Sequence, residues 1–239
     1  MENHFDILDW DSKFFGYKIA SIHALKLESG DLNSLIKELG NNDIKLSYCF
    51  INPEDEVSIN TMKNSSGILV DEKVTFSIQG FKEDVPVDPS IKPYHLTYPT
   101  EKLKLLALQS GLYSRFKIDP NFKNNEYENL YIEWITNSVK KKIAVENLIY
   151  SDGSDEKGFI SLAVKNNMGS IGLIAVDESE RGKSIGRKLI YATFIYFKKK
   201  GIDKIEVVTQ SANKTACLFY ESLGFKVKSI INIYHLWIK

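Results

Sequence analysis

The sequence predicts an α/β fold in two units, a smaller one over residues 1–90 and a larger one over residues 91–239. In both units, short segments rich in β-branched residues alternate with segments whose apolar residues recur at helical spacing. This pattern breaks between residues 81 and 99, where four of the six prolines fall. Because proline fixes φ and lacks an N–H donor, we expect the boundary between the units near residue 90.

The N-terminal unit is predicted to alternate strands and helices. Its strands are expected near residues 17–24, 44–51, 67–70 and 74–78, and its helices over residues 32–39 and 54–63.

The C-terminal unit is predicted to begin with two helices and three strands, followed by a helix, a strand, a short helix and a last strand. The helices are expected over residues 100–110, 126–140, 185–200 and 213–224, and the strands over residues 142–150, 158–165, 171–176, 204–209 and 230–238.

The turn between the strand Ile171–Val176 and the helix that begins at Ile185 predicts a phosphate site. The first N–H groups of a helix have no partner within it, so they attract anions. A nucleotide-binding P-loop would require a glycine where Asp177 stands, so nucleoside triphosphate hydrolysis is excluded. The remaining alternative is an ordinary turn whose glycines only permit tight geometry.

The spacing Arg181-Gly182-x-Ser184-x-Gly186 resembles the R-G-x-G-x-G/A signature of the GNAT superfamily of N-acetyltransferases, whose loop cradles the pyrophosphate of acetyl-CoA. Ser184 stands where that family usually has glycine, so we expect altered rather than lost binding. The segment Asn213–Phe225 is similar to the family's last helix, N-x-x-A-x-x-[LF]-Y-x-x-x-G-F. The resemblance covers residues 92–239 and implies the GNAT acyltransferase fold with a mixed central sheet.

The resemblance also implies roles for single residues, with acetyl-CoA as cosubstrate. Tyr220 would protonate the departing CoA thiolate as general acid, and a backbone N–H of the strand, that of Ala175, would stabilise the tetrahedral intermediate. The alternative for Tyr220 is a structural role, packing the last helix onto the sheet. The general base is left open between Asp177, Glu178 and a chain of water molecules. The residues implied to bind acetyl-CoA are Ile174, Ala175, Val176, Arg181, Gly182, Lys183, Ser184, Ile185, Gly186, Arg187, Asn213 and Phe219.

Two further segments resemble the dTDP-fucosamine acetyltransferases, two-domain GNAT enzymes that acetylate the 4-amino group of a dTDP-4-amino-4,6-dideoxyhexose. Leu8–Gly16 carries L-x-W-D-S-x-F-F-G, and Tyr113–Pro120 carries Y-S-R-F-x-x-D-P. An arginine can fork onto a diphosphate, and the aromatic residues offer stacking faces. The alternative for the aromatic residues is core packing. The residues implied to bind the acceptor are Trp10, Phe15, Tyr113, Ser114, Arg115 and Phe116.

The composition of the chain limits which binding partners and which cellular compartment we expect. Basic and acidic residues number 31 each, so no net field attracts nucleic acid or an anionic membrane. The chain carries no long apolar run and no signal-peptide pattern, which predicts a cytoplasmic protein. Cys49 and Cys217 are expected to be buried small residues, and the four histidines lack ligand spacing, so neither a disulfide nor a metal site is expected. The oligomeric state stays open, with a homodimer through the C-terminal strand as one option.

Three classes of function follow. The first is a nucleotide-sugar N-acetyltransferase that serves surface polysaccharide synthesis. The second is a GNAT enzyme with another amine acceptor, such as an aminoglycoside or a peptide. The third is a catalytically silent CoA-binding module, which only Ser184 suggests. A sugar nucleotide requires a pocket that Arg115 faces, whereas a peptide requires an open groove.

Overall fold

The computed structural model describes residues 4–23, 26–81, 88–153 and 155–238. The helices form where apolar residues recur at helical spacing, as in the buried Leu32, Leu35 and Leu39 of the second helix. The elements of the first described part are β1 (Phe5–Ile7), α1 (Asp9–Phe15), β2 (Lys18–Ile22), α2 (Ser29–Asn41), β3 (Ile44–Ile51), α3 (Glu56–Lys63) and β4 (Gly67–Gln79).

The second part follows the predicted order of helices and strands, with one short strand and one short helix that the sequence did not predict. Its elements are β5 (Ile91–Pro93), α4 (Glu101–Ser110), α5 (Arg115–Ile118), α6 (Glu126–Val139), β6 (Glu146–Asp152), β7 (Asp155–Lys165), β8 (Met168–Val176), α7 (Ile185–Lys199), β9 (Lys204–Gln210), α8 (Lys214–Ser222) and β10 (Lys226–Trp237). A single 3₁₀ turn, Glu178–Glu180, separates β8 from α7.

All the described strands belong to one mixed sheet, in the order β1-β2-β3-β10-β4-β9-β8-β7-β6-β5. The pairs β2–β3 and β8–β9 are parallel and the other pairs are antiparallel. The predicted α/β class with a mixed central sheet is therefore confirmed. Strand β4 lies between β10 and β9, so the sheet is continuous across the predicted boundary near residue 90. The division into two domains stays a prediction.

Strand β4 replaces two strands predicted at residues 67–70 and 74–78. The polar segment Asp71-Glu72-Lys73 interrupts the apolar pattern, but its backbone continues the pairing with β10 and β9. The side chains of Asp71 and Lys73 line a cavity instead of an apolar core. The break in the apolar pattern therefore marks a cavity wall and not a turn.

Apolar side chains cover both faces of the sheet, and β8 contributes to both. Ile174 and Val176 pack in the layer beneath α7 and α8, whereas Leu173 and Ala175 pack in the layer beneath α4 and α6. This alternation is the ordinary pleat of a strand. It places the end of β8 between two helical layers.

The C-terminal strand β10 is paired on both sides over Asn232–Leu236 and only with β4 over most of Lys226–Ile231. Homodimer formation through this strand stays a prediction.

Both cysteines are free thiols, Cys49 buried as expected and Cys217 only half-buried, because α8 lies at the surface. None of the helices in the described ranges combines the length and apolar character needed to cross a bilayer.

Candidate active site

The parallel strands β8 and β9 separate at their carboxyl ends. They pair only over Gly169–Ile171 and Ile205–Val207, while β8 remains paired with β7 as far as Val176. Beyond Ile171, one edge of β8 therefore has no strand beside it. Such an open edge offers backbone groups to a ligand at the carboxyl ends of the strands, where open α/β sheets bind ligands.

The direction of the N–H groups along β8 corrects the prediction for Ala175. Leu173 N donates to Ser161 Oγ on β7 at 2.7 Å, and Asp177 N donates to Lys157 O at 2.8 Å. Because N–H direction alternates along a strand, the N–H of Ala175 also points toward β7. The backbone groups of Ile174 and Val176 face the open side. Ile174 N, rather than Ala175 N, is the candidate donor to a developing oxyanion.

The loop after β8 presents unpaired amides to the same opening. Gly182 and Ser184 both adopt left-handed backbone conformations, with φ of 80° and 60°. The first intrahelical bond of α7 runs from Lys188 N to Ser184 O, so the N–H groups of Ile185 and Gly186 precede it. No acidic residue lies in the first turn of α7. The loop can therefore bind an anion through its backbone.

Gln109, which the sequence did not single out, holds this loop from α4. In the amide orientation that satisfies its neighbours, the nitrogen donates to Val176 O at 3.2 Å. Its oxygen accepts from Glu178 N at 3.2 Å and from Arg181 Nη2 at 2.8 Å. A glutamine on a helix has no sequence signature for such a contact, so only the fold reveals it.

A cavity of about 530 Å³ lies between this loop, β8 and α8. Of the residues predicted to bind acetyl-CoA, those lining it are Ile174, Ala175, Val176, Arg181, Gly182, Ser184, Ile185, Gly186, Arg187, Asn213 and Phe219. Lys183 is not among the residues described as lining the cavity, and its Nζ lies 2.9 Å from Glu180 Oε2. Tyr113, predicted on the acceptor side, lines this cavity instead, since it precedes α5 and follows the end of α4.

Close packing of α7 on α8 shapes the cavity. A Cβ at Gly186 would lie 3.3 Å from Phe219 Cζ, so the glycine permits the two helices to approach. Asn213 caps α8, with its Oδ1 accepting from Ala216 N at 3.1 Å. Its amide nitrogen remains available to a ligand.

Tyr220 lies where this cavity meets a second one, and it lines both. Its side chain is 3% exposed and packs against Phe76 and Phe225. Burial raises the pKa of Tyr220 above its ordinary value, so its hydroxyl keeps the proton. The geometry fits both a structural role and a proton donor, because the residue packs in the core and also faces both cavities.

The second cavity, of about 580 Å³, lies on the other side of the opening and is walled by the N-terminal part of the chain. Of the residues predicted to bind the acceptor, those lining it are Trp10, Ser114, Arg115 and Phe116. Phe15 is not among its described lining residues. Its ring packs on Phe116 and Phe122 at centroid distances of 5.7 and 5.3 Å, so the core interpretation holds for Phe15.

Arg115 contributes a guanidinium group to the wall of the second cavity. Its guanidinium lies 3.9 Å from the ring centroid of Tyr48 and 4.7 Å from that of Phe116. Its buried Nη1 has no hydrogen-bond partner in the described part of the chain. A guanidinium fixed on an aromatic face with a free donor is suited to bind an anion.

Asp71, which the sequence also did not single out, faces the same cavity. Its buried Oδ1 lacks a hydrogen-bond partner among the described residues. Burial raises the pKa of Asp71 to about 7, although the charges of Arg115 and Lys73 act to lower it. The sequence feature that could have indicated Asp71 is the polar segment Asp71-Glu72-Lys73, which interrupts an otherwise apolar strand.

A buried network holds α5 against β10. Asp119 accepts from His235 Nδ1 at 2.6 Å and from Trp237 Nε1 at 2.9 Å. The His235 ring stacks on Tyr48 with centroids 4.9 Å apart. The aspartate of the Y-S-R-F-x-x-D-P segment therefore positions the platform beneath Arg115.

Across the described residues, no three side chains of His, Cys, Asp or Glu converge as metal ligands would.

Comparison with known proteins agrees with this geometry. Residues 113–225 match the Acetyltransferase (GNAT) family model. The GCN5-related N-acetyltransferase from Sphaerobacter thermophilus superposes with a TM-score of 0.60 at 14% identity, covering 98% of this chain and 76% of that one. The chain has the GNAT fold, and residues 113–225 are similar to the Acetyltransferase (GNAT) family.

Two curated relatives are similar over shorter stretches. The mycothiol acetyltransferase of Thermobispora bispora is 36% identical over 58 residues, which is 24% of this chain and 20% of the relative. The spore coat polysaccharide biosynthesis protein SpsD of Bacillus subtilis is 25% identical over 138 residues, which is 58% of this chain and 47% of the relative. This chain spans less than half the length of either relative.

Proposed function

We propose that this protein is an acetyl-CoA-dependent N-acetyltransferase that acts on the amino group of a nucleotide-linked 4-amino-4,6-dideoxyhexose, with dTDP as the nucleotide. The observation that carries the proposal is the meeting of two cavities at Ile174 and Tyr220. One cavity has the anion-binding loop of a GNAT domain, and the other has a free guanidinium and aromatic walls. Such an arrangement brings a donor and an acceptor together from opposite sides.

On the donor side, the amides of Ile185 and Gly186 would hold the pyrophosphate of acetyl-CoA, with the dipole of α7 behind them. The open edge of β8 would pair with the amide groups of the pantetheine arm. The N–H group of Ile174, on this open edge, would then lie next to the thioester of the bound acetyl-CoA. One preorganised donor to the oxyanion is worth about 3 kcal/mol of transition-state stabilisation.

On the acceptor side, Arg115 supplies a forked donor set that matches a diphosphate. Trp10, 47% exposed and stacked on Phe14 at a centroid distance of 5.2 Å, offers a free aromatic face for the thymine base. The similarity to SpsD, whose name refers to spore coat polysaccharide biosynthesis, supports an acceptor that belongs to polysaccharide synthesis. We place the reaction in the cytoplasm, in the synthesis of a surface polysaccharide.

Transfer is direct. The neutral amine attacks the carbonyl carbon of the thioester, and the carbon–sulfur bond breaks. Tyr220 donates a proton to the departing thiolate. Burial raises the pKa of the phenol, so the proton stays on its oxygen until the thiolate forms beside it. The core position of Tyr220 holds its hydroxyl in one place for this step.

The test is mass spectrometry of the purified protein with acetyl-CoA and dTDP-4-amino-4,6-dideoxyhexoses of both the galacto and gluco configurations. We expect one acetyl group added to the sugar nucleotide. Tyr220→Phe should slow transfer by about 10²-fold or more, since general acid catalysis contributes on that scale. Tyr196→Phe, on the outer part of α7, is the matched control and should leave the rate unchanged.

Glucosamine, an aminoglycoside and a peptide amine complete the panel of acceptors. Acetylation of one of these, but of no dTDP sugar, would replace the proposed acceptor and keep the reaction. Binding of acetyl-CoA without transfer to any amine would favour the silent CoA-binding module.

A further inference from the structure

A carboxylate from the N-terminal part of the chain lines the second cavity, which meets the first at Tyr220. Asp71 and Tyr220 line the acceptor cavity together, although 149 residues of sequence separate them. The Oδ1 atom of Asp71 is buried and has no hydrogen-bond partner among the described residues. An unpartnered buried carboxylate oxygen is costly, so its presence requires an explanation beyond folding.

The topology places Asp71 at the carboxyl end of β9. Pairing between β4 and β9 ends at Lys73 and Gln210, and the chain then leaves the sheet toward α8. Ser211 N donates to Glu72 O at 2.8 Å, which fixes that exit point against β4. Because β4 continues beyond the end of β9, Asp71 lies where β8 and β9 have already separated. An acceptor amine must reach the thioester at this opening.

A β-bulge directly precedes Asp71. The pairing of β4 with β10 shifts between Leu69↔Tyr234 and Asp71↔Ile233, which leaves Val70 as the extra residue. A bulge changes the direction in which the neighbouring side chain points, and bulges are frequent beside active sites. Here the bulge lies between an exposed leucine and a carboxylate that faces the cavity.

The charges around Asp71 are mixed. Arg115 from α5 and Lys73 on its own strand favour its charged form, and Glu72 on β4 opposes it. The neighbouring phenol of Tyr131 comes from α6, and Asp11 from α1 faces Arg115. Burial outweighs the two cations and a hydrogen bond from the Gln210 side chain, and it raises the pKa of Asp71 to about 7. A base with a pKa near the working pH is effective in proton transfer.

We propose that Asp71 is the general base that takes a proton from the ammonium group of the acceptor. This step rests on the proposed function, because it requires an amine acceptor. The ammonium nitrogen gives one proton to the Asp71 carboxylate, and the freed electron pair forms the bond to the thioester carbon. The carbon–sulfur bond breaks, and the sulfur gains a proton from Tyr220, which recovers one from the nitrogen. The products are the amide, the thiol and one proton, which Asp71 releases to water.

The experiment compares Asp71→Asn with Glu72→Gln, the adjacent carboxylate on the exposed side of β4. We measure kcat/KM against pH with the amine that the acceptor panel identifies. The wild-type value should rise with pH, reach half its maximum near pH 7 and level off about one pH unit higher. Asp71→Asn should lower kcat/KM about 10²-fold and remove its rise with pH (the rising limb of the profile), with acetyl-CoA affinity unchanged. Glu72→Gln should keep both the wild-type rate and this limb. Asp71→Glu, which retains a carboxylate, should restore the limb at a reduced rate.

A carbon-13 NMR titration of the aspartate carboxyl groups in the wild-type protein gives a second readout that needs no acceptor. We expect one carboxyl to titrate near pH 7 and its signal to be missing in Asp71→Asn. The assignment would be overturned if the signal that is missing in Asp71→Asn titrates below pH 5 in the wild-type protein. It would also be overturned if the Asp71→Asn variant reacts within threefold of the wild-type rate. If the enzyme acetylates only an amine other than a dTDP sugar, and Asp71→Asn slows that reaction, the role of Asp71 would be supported and only the proposed acceptor would be overturned.

Discussion

His235 Nδ1 lies 2.6 Å from Asp119 Oδ2, and this buried pair joins the C-terminal strand to the short helix that carries Arg115. Trp237 donates to the same oxygen at 2.9 Å. Since His235 stacks on Tyr48, and Tyr48 underlies the Arg115 guanidinium, the end of the chain positions a cation of the acceptor cavity.

We expect Asp119→Ala to destabilise the protein by about 3 kcal/mol, because it removes the buried carboxylate that accepts hydrogen bonds from His235, Trp237 and Asn121 and leaves these donors unpaired. Urea unfolding followed by circular dichroism measures this change. The loss should also raise KM for the acceptor, because the Tyr48 platform loosens, and leave acetyl-CoA affinity unchanged. An increase in the dissociation constant of acetyl-CoA comparable with that in KM would contradict the separation of the two sides.

The pH dependence of stability should follow from the same pair. Burial lowers the pKa of His235, so the unfolded chain, with an ordinary value near 6.5, binds the proton first as pH falls. Burial alone would raise the pKa of Asp119, but hydrogen bonds from His235, Asn121 and Trp237 hold it below its usual range. The His235 effect makes the free energy of unfolding decrease as pH falls below about 6.5, and the Asp119 effect adds to this decrease only below about pH 5. His235→Gln should flatten this dependence between pH 7 and 5, and the exposed His23→Gln should not.

Arg115→Lys should raise KM for the acceptor by about 10-fold or more, because an ammonium neither lies flat on the Tyr48 ring nor forks onto a diphosphate. The dissociation constant of acetyl-CoA, measured by calorimetry, should not change. Lys117→Arg, on the exposed side of the same short helix, is the control. Equal acceptor kinetics for wild type and Arg115→Lys would show that the arginine only packs the loop.

The donor side was predictable from the sequence, because its features are local. The loop from Arg181 to Gly186 and the helix cap at Asn213 depend on residues a few positions apart, and the structure places them around one cavity. The acceptor side was predictable only in part. Asp71, Gln109 and His235 act through contacts with distant elements, and a single sequence does not encode which strands become neighbours. Ala175 was assigned incorrectly because the choice between two successive N–H groups depends on the register with β7.

Ser184→Gly should stabilise the protein by about 1 kcal/mol. Ser184 has φ of 60° and its side chain makes no capping hydrogen bond, so its Cβ carries the cost of a left-handed conformation without compensation. Gly182→Ala is the matched opposite change, because Gly182 has φ of 80° and open space around a Cβ. It should destabilise by a similar amount through backbone strain alone. Thermal unfolding of both variants, with and without acetyl-CoA, measures the effect, and a destabilised Ser184→Gly variant would show that the serine hydroxyl supports the loop.

Gln109→Leu should raise the dissociation constant of acetyl-CoA about 10-fold and leave KM for the acceptor unchanged. The side-chain amide of Gln109 links Val176 O, Glu178 N and the Arg181 guanidinium, so it orders the loop before the ligand arrives. Its loss would transfer the cost of ordering that loop to the binding step. Gln79→Leu, at the exposed end of β4, is the control, and calorimetry provides the measurement. Unchanged affinity in Gln109→Leu would mean that the 3₁₀ turn and the start of α7 hold the loop without help from α4.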